Sequence, residues 1–299
     1  MMMIGLVSGM MIRCRSSRFC CLLATVFLAG CGASALPEIP KALPPAPPGA
    51  VAAADGPATS PDRPAPVAHH PIQPNPTEAY VNKGLRDSGM GTGFFVRSDG
   101  SLLTNNHVVS TCEAVSIETT DGKESLATVV SYDAGHDLAL LKADTAAPAV
   151  ARFRAKVRLD GRHGVLVGYP SRGLPRIRPT LLSAALTGPV SPDGTHFSLK
   201  ADVRPGNSGG PVLDDSALVV GVVFGKINSV LVYQNTGKTI DDVGFAISND
   251  IVLAFLTQHG IATTVTDDAI PKTDDVLFDE GRQFVVRVLC WKRSDRPVR

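Results

Sequence analysis

The chain has 299 residues and a formal net charge of +1, which allows one or two domains and gives no basic excess suited to a nucleic-acid partner. Aromatic residues are only 5%, while Val, Ala, Leu, Gly and Pro are plentiful, a balance that suits an all-β domain with many turns beside a low-complexity segment. The first segment, residues 1–30, reads as targeting rather than fold. Arg13, Arg15 and Arg18 form a basic flank, and "FCCLLATVFLAG" (19–30) is an apolar run too short to span a bilayer comfortably. Residues 31–77 follow as a tether. Positions 32–77 hold 13 of the 23 prolines and almost no large apolar residue, so this segment cannot bury a core and is expected to be extended.

From residue 78 the pattern changes. "GTGFFVRSDGSLLTNNHVV" reads strand, Asp-Gly turn, strand, and "AVSIETTDGKESLATVVSYD" repeats that form. "DLALLKA", "HGVLVGYP", "RPTLLSAALTG", "THFSLKADV", "GPVLDDSALVVGVVFG", "SVLVYQ" and "DDVGFAIS" continue as short strands. Such a series predicts a β-sandwich or barrels, and residues 78–265 are long enough for two small barrels side by side. A single helix is predicted at "SNDIVLAFLTQHG", capped by Ser248 or Asn249 and ended by Gly260. Residues 266–299 form a tail, its acidic part read as loop and "QFVVRVLCWK" as one strand.

Six cysteines are present; Cys14, Cys20 and Cys21 fall in the targeting segment. Cys112 and Cys290 alone lie in the body, and export makes a bridge between them an open question that the sequence does not decide. No metal-ligand spacing occurs, so neither a metal nor another cofactor is expected.

"RPGNSGGPVLDD" (204–215) raises the chemical question: a tight turn only, or a turn that holds Ser208 as a nucleophile. A serine nucleophile needs a base, a group that orients the base, and donors for an oxyanion. Of the seven histidines, His69 and His70 lie in the tether, and His107 ends the apolar strand of "LLTNNHVV". Asp137 starts the apolar run of "GHDLALLK", where a partly buried carboxylate needs a partner; Asp133 competes with it. The glycines of "GNSGG" let backbone N–H groups, expected to be those of Gly206 and Ser208, point into one space. Each feature alone has an ordinary structural explanation.

Together, "GTGFFV", "LLTNNHVV", "HDLALLK", "VGYP", "GNSGGPV", "GVVFG" and "VGFAIS" resemble, in order and spacing, the chymotrypsin-like serine peptidases, nearest the bacterial HtrA-like branch, over roughly residues 85–258. The resemblance implies a double six-stranded β-barrel with the site in the cleft between barrels, His107 as general base, Asp137 as orienter, Ser208 as nucleophile, and Gly206 with Ser208 as oxyanion hole. It further implies that Val223, Phe224 and Gly225 pair with an extended substrate strand, and that Gly225 and Gly244 wall an open pocket for the side chain before the scissile bond. Asp202 would lie at the level of the pocket floor, selecting Arg or Lys if its charge faces in; the branch favours small aliphatic residues, and that reading stands slightly ahead. Too little chain follows the predicted helix for the PDZ domain that HtrA-like proteins usually carry, and no "IVGG"-like start precedes the domain. The insertion at 225–241 is then the candidate control loop.

"LAGC" (28–31) resembles the lipobox of bacterial lipoproteins, which implies lipidation of Cys31, with a cleaved secretory signal as the alternative. Gly32 after that cysteine leans the sorting to an outer membrane, if there is one. The expected function is a serine endopeptidase of the bacterial cell envelope, acting on protein or peptide segments. The alternatives are a catalytically silent binding module with this fold and a serine esterase. The oligomeric state and natural substrate are left open.

Overall fold

The computed structural model describes residues 75–171, 178–268 and 270–293. The chain enters through a short helix, α1 (Pro76–Asn82), capped by the Asn75 side chain, which accepts from Glu78 N–H. Its Tyr80 ring packs 5.4 Å from Trp291, and the hydroxyl donates to Val115 O.

A first barrel is built from β1 (Leu85–Phe95), β2 (Ser101–Thr104), β3 (Ala114–Thr119), β4 (Glu124–Asp133) and β5 (Leu138–Ala143). A single helical turn, α2 (Asn106–Val109), leaves the end of β2. The Asp-Gly pairs at 99–100 and 121–122 make the β1–β2 and β3–β4 turns, as expected from the sequence. After β5 the chain adds a three-residue strand, β6 (Arg152–Arg154), to the second sheet.

The second barrel uses β7 (Arg162–Gly168), β8 (Thr180–Pro189), β9 (His196–Lys200), β10 (Pro211–Asp214), β11 (Val219–Lys226) and β12 (Val243–Ser248). Its strand order is β10-β7-β8-β9-β12-β11, and a β10–β11 pairing closes the ring. Between β11 and β12 lies α3 (Ser229–Thr236), capped by Asn228 and ended by Gly237. The helix α4 (Asn249–Gln258) has Ser248 at its N-cap, where the sequence put it. β13 (Thr264–Thr266) pairs parallel to β6 at the margin of the second sheet.

The tail completes the first barrel. An amphipathic helix, α5 (Asp274–Phe284), leads into β14 (Val285–Arg293), which runs between β1 and β3 and makes the six-stranded ring β1-β14-β3-β4-β5-β2. The expected all-β double six-stranded barrel is therefore present. Residues 285–293 are not an appendage but one of its walls.

Three expectations need correction. The single late helix is joined by four other helical segments among the described residues. "SVLVYQ", read as a strand, is most of α3; Asn228 and Gly237 cap it at both ends, and local capping outweighs its β-branched content. The acidic stretch read as loop is α5. Leu277, Gly281 and Phe284 lie on one buried stripe, and Asp274 and Asp275 suit the positive end of the helix dipole.

Both faces of the central strands are buried, which explains their continuous apolar runs. On β7, Val165 and Val167 join a core shared with Phe94, Leu138 and Leu141 of the first barrel, while Leu166 points into the second barrel among Leu186, Phe197 and Val212. The two-residue period thus sends alternate side chains to the barrel interior and to the inter-barrel contact.

Candidate active site

His107 is presented by α2, and Asp137 by the turn entering β5. The Asp137 Oδ2 lies 2.6 Å from His107 Nδ1, and Oδ1 accepts from the His107 N–H at 2.8 Å. A carboxylate oxygen accepts, so the His107 Nδ1–H is the donor to Asp137 Oδ2. Asp137 adopts φ 56, in the left-handed region that a non-glycine residue enters only when held there. The hold comes from "NNH": Asn106 N–H donates to Asp137 O at 3.1 Å and Asn105 Nδ2 at 2.8 Å, while His107 takes the carboxylate. The competing Asp133 is bound instead to its own neighbour, His136, whose Nδ1 lies 2.7 Å away. That hydrogen bond holds the Asp133 carboxyl below the usual carboxylate range.

Ser208 sits in the turn before β10 and is half-buried. Its neighbours Gly206 and Gly209 have φ +92 and +84, and a Cβ on either would collide with backbone oxygen, of Tyr169 and Thr92 respectively. A Cβ at Gly209 would also lie 3.0 Å from Asn105 N, so the turn docks against the start of the His107 helix. His107 and Ser208 are not hydrogen-bonded to one another here. Such contacts are often long before substrate is bound.

The peptide planes of the turn are fixed by their carbonyls. Pro205 O accepts from Ser171 N–H at 2.8 Å, and Asn207 O accepts from Gly210 N–H at 2.9 Å. In a trans peptide the N–H points opposite to the carbonyl, so the N–H groups of Gly206 and Ser208 are turned away from these partners. Neither finds an acceptor among the described residues.

The remaining candidates divide. Gly225 faces open space, as a pocket wall must; Gly225 and Lys226 pair with β12 on one edge only, and Phe224 is the extra residue at a register shift beside them. Phe224 is half-buried, its ring 5.0 Å from His196 and 6.2 Å from Phe245. Val223 does not offer its backbone to a substrate. Its N–H donates to Gly210 O at 2.9 Å and its O accepts from Gly209 N–H at 2.8 Å, so the serine turn consumes both groups. Gly244 does not open a pocket either, because a Cβ there would lie 2.5 Å from Val203 Cγ2, which fills the space. Asp202 is not an unpaired floor charge: Arg204 donates to its Oδ2 from Nε at 2.8 Å and Nη2 at 2.5 Å. Its side chain is 44% exposed, and the Arg204 hydrogen bonds hold its carboxyl below the usual range. Asp202, Val203 and Lys226 line a small cavity of about 230 Å³. Two larger cavities, about 550 and 530 Å³, touch none of His107, Asp137 and Ser208.

The bridge that the sequence left open is made: Cys112 and Cys290 are disulfide-bonded, with Cα atoms 5.3 Å apart. It ties the segment just after α2 to β14. Sequence reasoning missed Thr92, Thr104 and Asn105, all fully buried. Their signal was a polar residue inside an otherwise apolar strand or at its end, since a buried polar group must find partners.

A family model for the trypsin-like peptidase domain matches residues 91–222. The chain is 34% identical over 187 residues to the serine protease Rv3671c of Mycobacterium tuberculosis, covering 58% of this chain and 43% of that protein. It is 32% identical over 190 residues to a probable periplasmic serine endoprotease, DegP-like, of Marinomonas sp., covering 62% and 38%. It is also 32% identical over 225 residues to protein y4bJ of Sinorhizobium fredii, covering 73% and 35%. Residues 91–222 thus match a trypsin-like peptidase domain, a domain of hydrolases, and HtrA-like serine proteases are among the homologues of the chain. A crystal structure of the Rv3671c protease in an inactive form matches at 30% identity and TM-score 0.46, covering 62% of this chain and 93% of that one. The chain spans 35–43% of the length of these curated relatives, so their whole activities do not transfer to it as such.

Proposed function

We propose that the chain is an active serine endopeptidase of the bacterial cell envelope that cuts extended or misfolded protein segments through an acyl-enzyme. The observation that carries this reading is the His107–Asp137 pair at 2.6 Å, set against a serine turn with two uncommitted N–H groups. His107 Nε2 takes the Ser208 hydroxyl proton as Oγ attacks the scissile carbonyl carbon. The carbonyl oxygen becomes an oxyanion held by the Gly206 and Ser208 N–H groups. His107 then gives its proton to the leaving amine, and a water that it activates releases the acyl group and restores Ser208. The one-sided edge at Gly225 and Lys226 accepts the substrate main chain as an added strand, which gives affinity without sequence choice. Val203 against Gly244 and the neutralised Asp202 support a small aliphatic residue before the cut.

The envelope assignment rests on the signal-like start, the tether and Cys31, outside the described residues except for the last three tether positions, 75–77, which enter α1, with the DegP-like relative's periplasmic description in support. In this reading Cys31 is lipidated and holds the domain at a membrane, the outer one if the cell has two.

A second reading, a protease-fold binding module without turnover, has one observation in its favour: the missing His107–Ser208 hydrogen bond. One experiment separates the two. Wild type and Ser208→Ala are treated with a fluorophosphonate probe and then given a proteome-derived peptide library. Endopeptidase function expects labelling of Ser208 and cleavage by wild type alone, with small residues before the cut. A folded wild type that neither labels nor cleaves supports the silent module.

A further inference from the structure

Thr92 lies in β1 of the first barrel, yet its hydroxyl and its N–H are spent on the second. The residue has no solvent exposure. Its N–H donates to Ser208 O at 2.8 Å. Its hydroxyl donates to Gly206 O at 2.7 Å and accepts from Tyr169 N–H at 2.9 Å. Its own carbonyl accepts from the Thr104 hydroxyl at 2.7 Å. One side chain and one peptide group thus hold the carbonyls of both residues whose N–H groups are uncommitted.

The flanking sequence makes this approach possible. A Cβ at Gly91 would lie 3.1 Å from Ser208 O and 2.7 Å from the Val108 methyls, so "GTG" is the strip on which the serine turn lands. Strand pairing cannot supply the second contact. The Thr92 N–H is already used by Ser208, and the hydroxyl, which carries a donor and acceptor lone pairs on one atom, can both donate to Gly206 O and accept from Tyr169 N–H. Tyr169 begins the segment whose Ser171 N–H fixes Pro205 O, so the same hydroxyl also braces the partner that turns the Gly206 N–H outward.

We propose that Thr92 is the positioning residue of the oxyanion hole, its hydroxyl clamping the Gly206 carbonyl and its N–H the Ser208 carbonyl, so that the two residues carrying the uncommitted N–H groups are held in place before substrate arrives. This rests on the reading of Ser208 as nucleophile and of Gly206 and Ser208 as oxyanion donors. The hydroxyl touches no reacting atom and acts through backbone geometry. A misplacement on the order of 1 Å in such a site costs about 10²-fold in rate, similar to the loss of one donor.

The test compares Thr92→Ser with Thr92→Ala, which differ by one oxygen atom. Fluorophosphonate labelling is followed across probe concentrations, well below each variant's unfolding midpoint, to separate the maximal rate from the half-saturating concentration. The expectation for Thr92→Ala is a maximal rate about 10²-fold lower, with half-saturation within about twofold of wild type. Thr92→Ser should keep a rate within about threefold. Where alanine does not give a folded chain, Thr92→Val keeps the volume, lacks the hydroxyl and carries the same expectation. Equal rates for the serine and hydroxyl-free variants, or a loss confined to half-saturation, overturn the proposal while leaving Ser208 as nucleophile. A folded wild type that does not label overturns both.

Discussion

The two barrels share six-strand closure but reach it differently. The second is closed almost entirely by strands from one continuous stretch, residues 162–248. The first needs β14, which lies well over a hundred residues beyond β5 and is welded to the His107 segment by the Cys112–Cys290 bridge. The half that carries His107 and Asp137 therefore depends on the far end of the chain, while the half that carries Ser208 is complete without it. Ordering one barrel late in the sequence costs loop-closure entropy that the other does not face, and the disulfide offsets part of it.

Removing β14 should break this asymmetry most severely. Deletion of residues 285–299 takes a wall from the first barrel and exposes the edges of β1 and β3. Loss of protease-resistant fold and of all fluorophosphonate labelling is expected; a truncated chain that still labels at the wild-type rate would mean the first barrel closes without its tail.

Asp137→Asn leaves the barrels intact and tests the first barrel's chemical contribution alone. An amide cannot accept from Nδ1 with full charge and favours the wrong tautomer, so turnover should fall about 10⁴-fold with little change in unfolding midpoint. Asp133→Asn, by contrast, should leave turnover near wild type, because that carboxylate serves His136.

The double change Cys112→Ser with Cys290→Ser measures the weld. For a bridge of sequence separation 178 the chain-entropy limit is about 5 kcal/mol, and a loss of about 2–4 kcal/mol, the usual range for a disulfide, is expected in denaturant unfolding. Hydrogen exchange should then rise in β14 and β3 before it rises in β7 to β12. Uniform loosening of both barrels would mean that the first depends on the tail no more than the second.

The smallest effect concerns how the tail is anchored to the second barrel. Asp274, in the first turn of α5, accepts from the Ser183 hydroxyl at 2.8 Å and lies 2.7 Å from His163 Nε2. The Ser183 hydrogen bond, then His163, holds its carboxyl below the usual carboxylate range. A folded-state pKa below the unfolded one stabilises above the unfolded value, and that contribution is lost as pH falls through the folded value. Asp274→Asn should therefore flatten the acid limb of stability below about pH 4, by about 0.5 kcal/mol after solvent screening of an exposed group. An unchanged acid limb would show that α5 is held by its apolar stripe alone.

The candidate site was legible in the sequence because its signals are short. "NNH", "GHD" and "GNSGG" each place a reactive side chain on its own turn, and the structure joins His107 to Asp137 by direct contact. The pocket was less legible. Val223, Gly244 and Asp202 sit near the site, but whether each faces substrate depends on neighbours such as Gly210, Val203 and Arg204. A fold resemblance carries position along the chain but not the local competition for each backbone group.

From the sequence by itself follow the run of short strands, the two Asp-Gly hairpins, the late helix and the candidate residues His107, Asp137 and Ser208 on their turns, since all depend on periodicity and turn chemistry within a dozen residues or so. Tertiary structure alone decided that β14 completes the first barrel, that Cys112 meets Cys290, that acidic residues 274–284 coil into α5 against β7, and that Thr92 reaches Gly206 and Ser208. The physical reason is common to all of them. A two-residue pattern says which face of a strand is buried but not which strand lies beside it, and a buried hydroxyl chooses its partner only after the two barrels have met.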